Sequence, residues 1–410
     1  MKSWNRIFAA AIRLLVVGAC LIGIHESWKF YRSDESLLQG KPESIRAAIR
    51  LEPDCWWCYV QLARLDEKDA EELLQASLRL NAYNGESAID LGLRYESDGD
   101  FRRAENLLLQ AFAVDRTYGS RWSLANFYFR RDNLPEFWTW ARRAAEMPAI
   151  DIRPLFELSW RVAPEPKTIE ANLIDDDPFV IRQYIEFLVG KNLTEAAVHP
   201  ALRLIHTGST VKDRGLYFGL TDRDRILGLI DRLIDANDAP NADSLWRELI
   251  RQHAVVADTS VPNNPEFSRD PMPVKFDWSF SAFAGLHSWP GSSGLIAEFT
   301  GVEPESCTIV EQTISLRRGN YRLVSSYRWQ NIAANTGIRW QIVDAKSGAV
   351  VVSSPSLSSD SLSSVTIPFS VGPDVSLLRL QLVYRRELGT PRVAGTLVIP
   401  SIRIQALSQT

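Results

Sequence analysis

The sequence predicts a multidomain chain, α and then β: an N-terminal transmembrane helix, an α-helical solenoid of paired helices, and a C-terminal antiparallel β-sandwich. Three observations carry this. An apolar run occupies residues 7–24, helix-period patterning with small residues at fixed spacing fills the middle, and apolar/polar alternation takes over beyond Val261. At 410 residues the chain is too long for one hydrophobic core. The expected boundaries are 1–32 for the cytoplasmic tail and anchor, 33–256 for the helical repeats, 257–275 for a linker and 276–410 for the sandwich.

The N-terminal element comes first. Lys2 and Arg6 precede the apolar run, Arg13 alone interrupts it, and Trp28, Phe30 and Tyr31 follow it. About 20 apolar residues span a bilayer, basic residues favour the cytoplasmic side, and aromatic residues favour the interface. The pattern predicts an uncleaved, single-pass signal anchor with its N-terminus cytoplasmic and its body periplasmic or otherwise extracytoplasmic. A cleaved signal peptide and a lipoprotein site at Val17-Gly18-Ala19-Cys20 are the alternatives, and both also put the body outside the cytoplasm. Net charge is −4 with no long basic run, which argues against nucleic acid as partner.

The helical middle is built on close approach. In GESAIDLGLRYESDGDFRRAENLLLQAFAVDR, residues 85–116, Gly92 and Ala104 sit where two antiparallel helices touch, and Tyr95 and Leu108 fill the space beside them. Gly99 supplies the helix-ending backbone. These residues, with Leu91, Asp100, Ala111, Val114 and Asp115, resemble a tetratricopeptide repeat; Arg116 replaces its usual exit proline. The next unit keeps the register with Trp122, Ala125, Asn126, Phe129 and Ala145, and puts Trp138 where a small residue of the second helix is expected. Degenerate pairs follow to about residue 255, with turns at 190–192 and 237–241. Such arrays stack neighbour on neighbour around a groove.

Within this array lies Cys55-Trp56-Trp57-Cys58, directly after an exit proline, Pro53. The repeat register makes the tryptophans and Tyr59 packing groups and puts the cysteines one helical turn apart. Outside the cytoplasm Cys55 and Cys58 could form a local disulfide. Redox catalysis lacks its strand-helix setting and zinc lacks further ligands at matching spacing.

The C-terminal third reads as strands at 321–329, 337–344, 365–369, 376–384 and 395–406, with a turn at 344–348. It resembles jelly-roll domains of the galactose-binding-like and carbohydrate-binding-module type, on the segments GNYRLVSSYRW, GIRWQIVD and LVIPSIRIQAL. Alternation turns Leu378, Leu380, Leu382, Tyr384, Ile338, Trp340, Ile342, Leu323 and Trp329 to one side. It turns Arg322, Arg328, Arg339, Gln341, Arg379, Gln381, Arg385 and Arg403 to the other. If the strands share sheets, these eight form an outward band. Such a band either solvates the sheet or contacts a polar or anionic polymer or a partner protein, since the guanidinium fork suits carboxylates. Trp278, Trp289 and Trp329 are candidate aromatic platforms.

A catalytic constellation does not emerge. The five histidines lack metal spacing, and GLHSWPGSSG, residues 285–294, reads as a Gly/Ser-rich turn and not a nucleophile elbow. Asp175-Asp176-Asp177 reads as a solvated loop and helix cap before Pro178. No cofactor, metal or catalytic residue is expected. The whole chain resembles bacterial single-pass envelope proteins with extracytoplasmic tetratricopeptide repeats and a β-sandwich. That resemblance implies a scaffold for cell-envelope or exopolysaccharide assembly, holding envelope proteins or peptides in the groove and polysaccharide on the sandwich. A polysaccharide-modifying or hydrolytic enzyme is the alternative.

Overall fold

The computed structural model describes residues 2–147, 151–210, 219–330, 336–358, 361–373 and 377–407, with side chains from residue 12 onward and without those of 208–210. The expected strand start at Ser376 lies outside the described residues. The chain forms two compact units, Met1–Ile174 and Asp175–Thr410.

Among its described residues the first unit holds ten helices: α1 (Lys2–Leu38), α2 (Pro42–Leu51), α3 (Trp56–Leu65), α4 (Ala70–Leu80), α5 (Gly85–Ser97), α6 (Phe101–Val114), α7 (Tyr118–Arg130), α8 (Leu134–Ala145), α9 (Arg153–Val162) and α10 (Pro166–Leu173). From α3 on they pair consecutively, as the repeat pattern requires. At α5–α6 a Cβ on Gly92 would stand 3.2 Å from Leu108 and 3.3 Å from the Ala104 carbonyl, so a larger residue would force the helices apart. Ala104, Leu108 and Ala111 are fully buried. Side-chain caps start α5, α6 and α8: in the last two, Asp100 accepts from the Arg103 amide at 3.1 Å and Asn133 from that of Glu136 at 3.4 Å.

One packing expectation is corrected at α7–α8. Counting from each helix start, Phe137, not Trp138, is the equivalent of Ala104, and Ala141 the equivalent of Leu108. Phe137 and Ala141 are fully buried, as is Ala125, the counterpart of Gly92. The large residue has moved one turn along the helix and a small one has taken its place, so the pair keeps its volume with the order reversed.

The N-terminal expectation is corrected as well. Among the described residues no helix is long and apolar enough to cross a membrane. The described part of α1 carries exposed Leu14, Leu15, Val16, Val17, Leu21, Ile22 and Ile24, then continues through Glu26, Lys29 and Arg32, which form ion pairs along the helix surface.

Among its described residues the second unit combines four helices with the sandwich. α11 (Pro178–Gly190) is capped by Asp177, which accepts from the Phe179 amide at 2.8 Å. α12 (Val198–Thr210), α13 (Leu220–Asp235) and α14 (Ala239–Arg251) follow. The strands are β1 (Ser279–Phe280), β2 (Leu286–Gly291), β3 (Gly294–Thr300), β4 (Ser306–Ser315), β5 (Gly319–Gln330), β6 (Ile338–Asp344), β7 (Val350–Ser353), β8 (Ser363–Val371), β9 (Leu377–Arg385) and β10 (Ala394–Ala406). One sheet runs β1-β4-β9-β6-β7 and the other β2-β3-β10-β5-β8, all antiparallel. Their inner faces enclose a core that includes Trp278, Trp340, Trp329, Tyr384, Leu380, Leu382 and Ile402.

Residues 257–275, expected to be a linker, pack onto this core. Phe267 is buried against Trp278, ring centroids 4.8 Å apart, and the Trp278 indole donates to the Asn264 carbonyl at 3.0 Å. Gln312 reaches the Asn263 backbone with both ends of its amide, accepting at 2.8 Å and donating at 3.0 Å. Its side chain thus serves as one more strand partner. The amides of Ile402 and Ile404 donate to the carbonyls of Pro265 and Val261. The helices join in too, as the Lys275 amide donates to Asp231 at 2.8 Å. The prolines that suggested a crossing between domains instead shape a strap across the sandwich.

Candidate functional site

The alternation read from the sequence holds in every strand that it named, but the eight outward residues do not form one band. β6 pairs with β9, and β10 with β5, in opposite sheets. Arg322, Arg328 and Arg403 therefore lie on one outer face, and Arg339, Gln341, Arg379, Gln381 and Arg385 on the other.

The first face, on β2-β3-β10-β5-β8, is the open one. Register lines up two rows across four strands: Trp289, Ile296, Val398 and Arg328, and beside them His287, Glu298, Thr396 and Gln330. Inner residues Leu295, Ala297, Leu397 and Ile399 are fully buried and alternate with the rows; within the first row Val398 is buried too and Ile296 half-buried, so its ends, Trp289 and Arg328, are what it offers to solvent. His287, Glu298, Arg328 and Gln330 are exposed, and Trp289 is half-buried. The His287 and Trp289 rings lie 4.7 Å apart. With strands about 4.8 Å apart, the row from Trp289 to Arg328 spans about 14 Å. It has an aromatic face at one end and, at the other, a guanidinium with no ion-pair partner among the described residues. Farther along, Arg322 donates to Gln405 at 2.7 Å and Arg403 pairs with Glu266 at 2.7 Å. The other two candidate platforms are core residues: Trp278 and Trp329 are buried, and the Trp329 indole donates to the Leu357 carbonyl at 2.7 Å.

The opposite face is largely engaged in its own bonds. Gln341 donates to Gln381 at 2.8 Å, Gln381 to Glu311 at 2.8 Å, and Arg339 pairs with Glu387 at 3.2 Å. Arg385 is exposed at the strand end. Arg379 lines a 460 Å³ cleft with Lys275 and Lys346.

The sequence reading missed His287, Glu298 and Gln330. His287 lies in the segment taken for a turn, which is instead a hairpin: β2 and β3 joined through Ser292-Ser293. The proline and glycines hid β2, yet the alternation of Leu295, Ala297 and Phe299 with Ile296, Glu298 and Thr300 carried the signal for β3.

In the helical unit, Cys55 stands just before α3 and is joined to Cys58 as a disulfide, both buried among Ile45, Ala48 and Leu62. Burial, with Glu303 nearby, pushes the Cys307 thiol up to about 11, far from the thiolate that reactivity needs. Among the described residues no three His, Cys, Asp or Glu side chains converge as a metal site. Ion pairs link successive repeats: Arg64 on α3 holds Glu86 at 2.5 Å and Asp90 at 2.9 Å on α5. Burial raises the Asp90 carboxyl while Arg64 opposes the shift.

No protein-family model matches the chain, and no curated protein matches it. Among solved structures it is similar to a family 4 carbohydrate-binding module, at 13% identity over 36% of this chain and 99% of that one, with a TM-score of 0.28. It is also similar to the module TmCBM61 in complex with β-1,4-galactotriose, at 14% over 35% and 96%, with a TM-score of 0.25. A third likeness is to YrrB, a TPR protein with an unusual peptide-binding site, at 11% over 52% and 94%, with a TM-score of 0.25. At these identities and scores none of the three bears on what this chain does; they are likenesses to its two architectures, helical repeats and a two-sheet antiparallel sandwich.

Proposed function

We propose that the chain is a non-catalytic scaffold of the bacterial cell envelope. Its helical repeats hold a partner protein, and the outer face of β2-β3-β10-β5-β8 holds a polysaccharide during envelope or exopolysaccharide assembly. The observation that carries the glycan half is the four-strand row from Trp289 to Arg328. An aromatic face offers apolar surface to a sugar ring, and exposed His287, Glu298, Gln330 and Arg328 offer the donors and acceptors that orient hydroxyls or a carboxylate. An extracytoplasmic body belongs to the same reading.

Screening the full chain against a glycan array tests the glycan half: binding to at least one glycan is expected, abolished by Trp289→Ala. Turnover of a bound glycan, or no binding to any, overturns it. Crosslinking and recovery from detergent extracts are expected to yield envelope proteins, and cytoplasmic proteins alone would contradict the proposed location.

A further inference from the structure

Three arginines from three different elements converge on one ring in the first unit. The guanidinium carbons of Arg116, Arg121 and Arg143 stand 6.0, 5.9 and 5.9 Å from the Phe112 centroid. Phe112 lies on α6, Arg116 just beyond that helix, Arg121 on α7 and Arg143 on α8. Trp140 meets the Phe112 ring edge-on at 4.8 Å, and Arg143 also covers Trp140 at 4.5 Å.

Part of this arrangement holds the fold. Arg121 donates to the Arg143 carbonyl near the end of α8, where a cation suits the helix dipole, and it lies 3.6 Å from Glu146. That account stops at Arg121. Arg116 and Arg143 are exposed and have no carboxylate within ion-pairing distance among the described residues. Cation–π contact orders their guanidinium groups without neutralising them, and the Arg121 Nε is buried with no acceptor. Three like charges, one of them offset, repel unless an anion joins them.

We infer that the Phe112 arginine cluster is a docking site for an acidic peptide segment of the partner protein. The inference deepens the partner-binding half of the proposed function and rests on it. Charge complementarity selects the occupant, and the geometry narrows it. The Phe112 ring is already lined by guanidinium groups and the Trp140 edge, so it offers no stacking platform to a sugar or base, unlike Trp289. What remains are the exposed Arg116 and Arg143 forks, within about 12 Å of one another, each able to take a carboxylate through two hydrogen bonds. Carboxylates at alternate positions of an extended peptide stand about 7 Å apart, so two fit this span.

Fluorescence anisotropy of the full chain with a labelled peptide of alternating Glu and Ser is the test. Wild type is expected to bind with an affinity that falls steeply with salt. Arg116→Gln/Arg143→Gln is expected to weaken binding at least tenfold with unchanged circular dichroism, while Arg116→Lys/Arg143→Lys recovers part of it. Arg102→Gln, an exposed arginine elsewhere on α6, is expected to change nothing. Equal binding by wild type and the double Gln variant, or equal loss with Arg102→Gln, overturns the inference. So does tighter binding of polygalacturonate or inorganic phosphate than of the peptide at the same site. If the double Gln variant still captures its envelope partner, this inference fails while the scaffold reading stands.

Discussion

Gly92 shows how far single residues dictate this structure. A Cβ there would stand 3.2 Å from Leu108 and 3.3 Å from the Ala104 carbonyl, tighter than ordinary contact, so the helices must give by a few tenths of an ångström before any larger group fits. Gly92→Val is expected to destabilise the first unit by about 1–3 kcal/mol, measured as a lower urea midpoint for its helical signal. Asp277 makes a different prediction. It is fully buried, and burial raises its carboxyl above the ordinary 3.8 despite bonds from the Met272 and Trp278 amides. A raised acid favours the folded state most when protonated, so its contribution is full below pH about 4 and declines as pH rises through the folded value. Asp277→Asn is therefore expected to flatten the loss of second-unit stability above pH 4, and unfolding free energies measured in urea across that range check it. Gly92, Tyr95, Ala104 and Leu108 were legible because contact and sequence spacing coincide there. Phe137 was not, because volume had been exchanged with Ala141 and the sequence shows only that a large residue stands near an expected small one.

At the scale of elements, the amphipathic helices and alternating strands were readable, and the interrupted ones were not. β2 holds a proline and a glycine, β1 is two residues long, and the strap at 257–275 gets its order from nearby Trp278 and from Gln312, which is 49 residues from Asn263 in sequence. The Cys55–Cys58 disulfide fits its place at the start of α3. It closes a separation of only 3 residues, so Cys55→Ser/Cys58→Ser is expected to cost less than the ~2–4 kcal/mol typical of longer loops. Thermal melting of the first unit checks this, and glycan and peptide binding should be unaffected. A loss of either would return the pair to a functional role.

Across the whole molecule, inward and outward sides were visible strand by strand, whereas membership of a sheet depends on which strands pair, and that is set by long-range contacts. Eight polar residues that alternate correctly thus divide between two faces with different fates. One face ties its glutamines and Arg339 into their own hydrogen bonds; the other leaves Trp289, His287, Glu298, Gln330 and Arg328 facing outward. The open face carries the glycan reading. Calorimetric titration of the full chain with an oligosaccharide identified on the array tests it most directly, comparing wild type, Trp289→Ala, Arg328→Ala and Arg339→Ala. The prediction is a tenfold or greater loss for Trp289→Ala, a smaller loss for Arg328→Ala and wild-type affinity for Arg339→Ala; undiminished binding by Trp289→Ala and Arg328→Ala would contradict it.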